Sequence, residues 1–321
     1  MAENWINAEQ WEDAGKKIFQ RVLQDSSYGS ALNNETRKYV YLVNQFANSL
    51  PSSDLASLSK PQLANLMQQY TDLYLVAHST GQFEQVIDVR NNFLSDYLFN
   101  YLGEHSKGNS PVAGLFSLLT TPLEDTVGWF EEKALLEIAL KNGKGLEDHA
   151  RKYAWLWFNF QGPPASLQDF KHRLEQLKKE DAAKLLAHKL SEKAKLQKEQ
   201  ANALSQFKGL DRQHERLFEY AREITFLKSL RKDAMFFLCY RMTPLFKEAA
   251  KRLYVTLDEY RTLGPAELAP SLLHGVDVGN LRERTKLYVV AYVDGVEKTL
   301  VSDEARKFIK ENNLVVPHSA G

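Results

Sequence analysis

A single cysteine, Cys239, stands among 321 residues, which excludes an intrachain disulfide framework and any multi-cysteine metal site. A chain so poor in cysteine fits a reducing compartment, and the expected location is cytoplasmic. Net charge is also lacking. The 41 Lys and Arg residues balance 41 Asp and Glu, so the total shows no basic footprint and a nucleic-acid partner is not expected. Long apolar runs are missing too. Residues 234–240 and 287–293 hold the longest, far short of the roughly 20 residues a membrane-spanning helix requires. The first ten residues carry neither a basic n-region nor an apolar h-region, so neither a secretory signal nor membrane insertion is expected. H-E-x-x-H and G-x-S-x-G are absent, which removes the zinc-peptidase and α/β-hydrolase motifs.

What remains is ordinary globular composition, 44% apolar and 26% charged, in a chain long enough for about two folding units. Most of it carries helical periodicity. Tyr39, Val43, Phe46 and Leu50 recur at helical spacing, as do Leu63, Met67, Tyr70 and Tyr74, which places each set on one face. Ser59-Lys-Pro-Gln62 and Thr256-Leu-Asp-Glu259 have the form of capping boxes that start helices. Asn142-Gly-Lys-Gly145 ends one, and about six helices are expected before residue 161. The Gly-Pro-Pro at 162–164 is a clear break. Beyond it, residues 170–208 are dense in Lys, Glu, Gln, Ala and Leu, a composition suited to a long, partly solvated helix or helical hairpin, with Gly209 as the turn. From Asp211 to Leu253 a second long helix places Leu217, Ile224, Arg231, Leu238 and Leu245 at seven-residue intervals, as a packed seam requires, with Pro244 as an expected kink.

The tail changes period. Residues 286–293 and 296–301 are β-branched runs separated by Asp294-Gly295, a type I′ turn dipeptide, and predict a β-hairpin. Ser302 and Asp303 are then placed to cap a short helix reaching about Asn312. The expected fold is mainly α: a helical bundle over 1–160, a long charged antiparallel hairpin over 161–255, and linker helices, β-hairpin and terminal helix over 256–321.

Few residues carry chemistry. Gly103 and Gly108 with Ser110 imitate a phosphate loop, but Asn109 stands where the lysine belongs and helix rather than strand precedes it. His149 and His214 sit near other charges, yet single helical histidines usually serve structure. Cys239, inside an apolar run, reads as a small buried hydrophobe. The aromatic cluster Tyr153 to Phe160 suits a core anchor, with Trp155 the residue to line a pocket. Arginines on apolar stripes are more informative. Arg231 lies on the seam and Arg90 falls among Phe83, Ile87, Leu94 and Tyr97, so each must snorkel, pair with a carboxylate or meet an anion. Glu223 is the expected partner of Arg231, and Arg222 and Arg241 lie close enough in sequence for a shared anion site to be conceivable.

Three stretches resemble the phosphoenolpyruvate-utilising phosphotransferases of the phosphoenolpyruvate synthase and rifampicin phosphotransferase type. They are His149-Ala-Arg-Lys-Tyr-Ala-Trp155 with Asn159-Phe-Gln-Gly-Pro163, residues 215–224 running through Arg231-Lys-Asp233, and residues 287–301 followed by Ser302-Asp-Glu-Ala-Arg306. The resemblance covers about half the chain and lies in the helical middle region and the hairpin before the phosphohistidine domain. The sequence departs from the family in having no Gly-rich ATP-grasp module and no T-x-G-G-…-H-A-A signature; Pro317-His318-Ser319-Ala320 imitates only the end of the latter.

The resemblance implies a helical substrate-binding or linker portion of a dikinase, inactive alone. ATP-grasp and phosphohistidine domains would be supplied by a missing segment or a separate chain. It implies ATP and Mg for the complete enzyme and no cofactor in this chain. Arg90, Arg222, Arg231 and Arg241 are the residues expected to contact substrate or anion, with Trp155 as a pocket wall; none is assigned a catalytic or metal-binding role. The alternative is a non-enzymatic helical scaffold or interaction module, including a homo-oligomer.

Overall fold

Helices begin where a polar side chain can accept from backbone N–H groups that the first turn leaves without partners. The computed structural model describes residues 6–88, 91–105, 111–207, 210–293 and 296–314. It is mainly α, with a two-stranded antiparallel sheet near the C-terminus. Both expected capping boxes form. Ser59 N–H donates to Gln62 Oε1 at 2.8 Å and Gln62 N–H to Ser59 Oγ at 3.3 Å. Thr256 N–H donates to Glu259 Oε2 at 2.7 Å and Glu259 N–H to Thr256 Oγ1 at 3.1 Å.

Two compact units result. One comprises Met1–Asn7, Ser49–Tyr74 and Arg241–Gly321, the other Ala8–Asn48 and Leu75–Tyr240. The larger unit holds α1 (Ala8–Gln24), nearly all of α2 (Ser26–Ser49), the end of α3 (Lys60–Thr80), α4 (Gln82–Asp88), α5 (Phe93–His105), α6 (Val112–Thr120), α7 (Val127–Leu140) and α8 (Leu146–Tyr153). After a 3-10 turn at Ala154–Trp157 come α9 (Leu167–Leu177), α10 (Ala182–Gln206) and most of α11 (Arg212–Arg252). Eight α-helices therefore precede residue 161 among the described residues, not about six, because α4 and α8 are too short for periodicity to separate from their neighbours. The stretch 170–208 is likewise two helices, since Asp181 accepts from Lys184 N–H at 2.9 Å and starts α10 afresh. The helix assignment runs unbroken through Pro244, and Gly209 lies outside the described residues.

Two apolar cores stabilise this unit. Val22, Ile87, Leu94, Leu98, Leu102, Leu119, Leu217 and Phe218 bring α1, α4, α5, α6 and α11 together, all at 1% exposure or less. Leu135, Leu136, Leu146, Phe170 and Leu174 join α7, α8 and α9. Burying a side chain of this size contributes about 1.5–3 kcal/mol. The seam residues Leu217, Ile224, Arg231, Leu238 and Leu245 are all buried.

In the smaller unit, α12 (Leu257–Tyr260), α13 (Pro265–His274) and α14 (Val278–Lys286) precede β1 (Tyr288–Val293), β2 (Val296–Val301) and α15 (Asp303–Glu311). Tyr260 is fully buried against Phe246, which meets Tyr70 edge-on at 5.2 Å. The hairpin registers Tyr288 with Val301 and Val293 with Val296; the Asp294-Gly295 turn lies outside the described residues. Alternation sends Val289 and Ala291 inward onto Ala305, Phe308 and Ile309 of α15. Ser302 does precede α15, but its side chain does not cap it. The backbone there is left-handed (φ 51°) and the hydroxyl donates to Glu283 Oε2 at 2.8 Å instead.

Candidate functional site

A concavity of about 540 Å³ in the larger unit is lined by Ser27 and Ser30 of α2, Leu123 and Glu124 after α6, and Arg216, Glu219, Tyr220, Arg222 and Glu223 of α11. Helical spacing sets the α11 contribution, because positions 216, 219, 220 and 223 fall on one face. Gly29 makes room at the wall: a Cβ there would sit 3.0 Å from the Tyr220 ring. Burial pushes the Tyr220 phenol above its usual range, with further upward pressure from Glu84.

Most of the charges in the cleft also tie helices together. Glu223 accepts from Asn33 Nδ2 at 2.7 Å and from Arg37 Nη2 at 3.4 Å, and Arg37 reaches Glu124 at 3.5 Å. Glu223 is thus committed to α2 and is not the partner of Arg231 that the sequence led us to expect. Arg222 Nη1 donates to Leu119 O at 3.1 Å, beside Gln200 Nε2, which donates to Leu118 O and Thr121 O at 2.8 Å each. A cation at the end of α6 satisfies a last-turn carbonyl and opposes the negative end of the helix dipole. Two arginines and three glutamates in one open cleft favour a small ligand that offers one anionic group to the arginines and no extended negative charge to the glutamates.

Within the larger unit, the expected site residues Arg222, Arg231 and Trp155 do not converge. Arg222 lines the cleft. Arg231 is buried elsewhere in the same unit, its side chain laid against Gly81, where a Cβ would lie 1.8 Å from Nε. Trp155, on the 3-10 turn, tilts against Phe237 at 5.2 Å. Arg241 belongs to the other unit, where Nη2 donates to Leu50 O at 2.7 Å. Arg90 lies outside the described residues, as do His318 and most of the imitation phosphate loop.

Three further clusters were not found by sequence reasoning as clusters. Glu131 of α7 is buried and accepts from His149 Nε2 at 2.9 Å and from both Arg173 Nη atoms at 2.7 and 3.0 Å, joining α7, α8 and α9. Burial alone would raise its pKa, but the hydrogen bonds and charges of His149 and Arg173 hold it below the ordinary carboxylate range. His214 stacks on Tyr101 at 3.5 Å between ring centroids, meets Tyr97 Oη at 3.1 Å and places Nδ1 2.8 Å from Asp211. Glu84 of α4 is buried with no hydrogen-bond partner on either oxygen, and that burial pushes its carboxyl up to about 7 against the opposing charges of Arg231 and Lys228. His149 and His214 announced themselves by nearby charge; Glu84 carried no such signal.

Among the described residues no group of three or more His, Cys, Asp or Glu side chains is placed to hold a metal ion, and no helix is long and apolar enough to cross a membrane. No protein-family model, curated protein or solved structure matches the chain.

Proposed function

We propose that the chain is the helical substrate-binding or linker portion of a phosphoenolpyruvate-synthase-like phosphotransferase, with ATP, magnesium and the phosphohistidine handled by domains other than those described. The observation that carries this reading is the cleft wall formed by Arg216 and Arg222, which lies on α11 within the second resembling stretch. Two arginines lining one cleft with Ser27 and Ser30 suit a small carboxylate or phosphate. Consistent with a linker role, His149, Arg284 and Arg252 are engaged in contacts between elements.

Calorimetry with phosphoenolpyruvate, pyruvate and ATP tests it. Phosphoenolpyruvate or pyruvate should give saturable heat that Arg216→Ala reduces at least about tenfold in affinity, as expected for loss of a charge-assisted contact, while circular dichroism stays unchanged. No heat at millimolar ligand, on a folded protein, would overturn the reading.

A second reading, a helical interaction module, is favoured by the outer face of the β-hairpin. Tyr288, Val290 and Tyr292 stand 37%, 37% and 65% exposed there, on the face opposite α15. Concentration-dependent size in solution, abolished by Val290→Lys, would support it.

A further inference from the structure

Glu84 and Arg231 present complementary atoms that are both unmatched inside the larger unit. Glu84 is 6% exposed and Arg231 8%, and Glu84 Oε1 and Oε2 and Arg231 Nε are buried without a hydrogen-bond partner. A native interior rarely leaves one such group, because an unsatisfied buried donor or acceptor costs about 1–3 kcal/mol. The two side chains act on one another electrostatically, as does Lys228, and Glu84 in turn acts on Tyr220.

The surrounding charges are few. From α3, His78 faces Arg231, and partial burial together with that guanidinium holds its imidazole below the usual range. Lys228, Arg231 and Tyr220 face Glu84 from α11, and α4 itself carries Asp88, whose carboxylate accepts from Leu94 N–H at 2.9 Å, Ser95 N–H at 3.1 Å and Ser95 Oγ at 2.7 Å. On α1, Lys16 pairs with Glu12, Lys17 with Asp13, and Arg21 lies over Tyr28; Asp96 of α5 is exposed.

The mechanical setting is asymmetric. The middle of α4 is fixed on α1, where a Cβ on Gly15 would strike Val86 O at 2.4 Å. Its C-terminal end is fixed by Asp88 at the start of α5. The α3–α4 corner at Gly81 is held instead by the flank of the Arg231 side chain. A glycine there both admits the guanidinium and permits backbone changes that a larger residue resists.

We propose that the Glu84–Arg231 pair is a proton-operated latch on the α3–α4 corner, open when Glu84 carries its proton and faces the guanidinium as a neutral acid, and drawn into an ion pair when that proton leaves to solvent. The carboxylate then closes on Arg231 Nε, satisfying both orphaned groups, and the corner around Gly81 moves with it. The inference does not depend on what the cleft binds.

The test is a pH titration of the full chain with 13C at glutamate Cδ, Glu84 being assigned by Glu84→Gln, beside hydrogen exchange of amides 78–88 corrected for intrinsic rate. The expected result is a carboxyl midpoint raised above the ordinary range but not above about 7, the value of the unpaired geometry, since closure on Arg231 favours the ionised form, with exchange protection of the same amides changing over the same range. Glu84→Gln should abolish that change, and Arg231→Met should move the midpoint upward. A Glu84 midpoint below about pH 5, the ordinary range for an exposed carboxyl, would overturn the proposal. Protection that stays flat while Glu84 titrates would overturn it equally. The titration of the unmodified protein decides even if a variant fails to fold.

Discussion

Replacing Glu131 removes the one acceptor that three helices share. In Glu131→Ala, His149 loses its Nε2 contact and Arg173 both of its parallel ones. The side chains of His149 and Glu131 are 2% and 6% exposed, so water does not replace what His149 loses, whereas Arg173 at 28% can turn toward solvent. Breaking a buried pair by removing one partner costs about 3–5 kcal/mol, and the freedom of Arg173 places the expected loss at the lower end, about 3 kcal/mol. Glu131→Gln keeps one acceptor but sets an amide donor against donors, for about 1–3 kcal/mol. Urea unfolding read by tryptophan emission measures both, because Trp11, Trp129, Trp155 and Trp157 all belong to the larger unit and Arg173 lies 5.2 Å over the Trp157 ring. The midpoint should fall with the denaturant slope unchanged. A double-mutant cycle with Arg173→Ala should return a coupling of about 1–3 kcal/mol. The pH dependence has a definite sign. A carboxyl lowered in the folded state stabilises above its unfolded value of about 4.5 and loses that contribution as pH falls through the folded value. A loss below about 1 kcal/mol in Glu131→Ala, the range of an exposed pair, would refute the argument that this is a buried, mutually satisfied cluster.

Glu84 predicts the opposite slope. Its carboxyl is raised to about 7 from 4.5, so the contribution is fully present below about 4.5 and is lost as pH rises through 7. The full span is about 3 kcal/mol, to be read as the difference in urea midpoint between wild type and Glu84→Gln across that range. Gly81→Ala should destabilise the larger unit by about 1–3 kcal/mol, because the new Cβ at 1.8 Å from Arg231 Nε forces a buried side chain to move; an unchanged melting temperature would contradict that packing. In the smaller unit, Arg284 donates in parallel to Glu267 at 2.6 and 2.8 Å and to Asn280 Oδ1 at 2.7 Å. Arg284→Lys should therefore lose about 1–3 kcal/mol despite keeping the charge, since an ammonium cannot reproduce the fork. Equal stability of the lysine variant would show that charge alone suffices.

Local features were legible in the sequence and distant ones were not. The hairpin was readable because two β-branched runs flank Asp294-Gly295, a turn dipeptide. The boxes at Ser59 and Thr256 were readable because donor and acceptor lie three residues apart. Short helices were harder. With seven residues, α4 completes barely two turns, too few for a stripe to declare itself. Glu84 was invisible for a related reason: a glutamate on a short polar stretch reads as solvent-facing, and its burial depends on helix α11, some 140 residues away.

The arginines show most clearly what such a reading omits. An arginine on an apolar stripe was expected to snorkel, pair with a carboxylate or meet an anion. Other arginines donate to backbone carbonyls: Arg222 to Leu119 O, Arg241 to Leu50 O, and Arg252 to Leu58 O beside its ion pair with Glu248. A carbonyl left without an intrahelical donor is a strong acceptor that carries no charge of its own, so the arginine keeps its full positive field while its geometry is fixed. For Arg222 this bears on the proposed anion site. The bond from Nη1 to Leu119 O orients the guanidinium, and the same side chain lines the cleft. An anion arriving there meets a cation whose rotamer is already restricted, which lowers the ordering cost of binding. The partner of Arg222 was not legible in the sequence, because a backbone carbonyl 103 residues away leaves no trace in residue type.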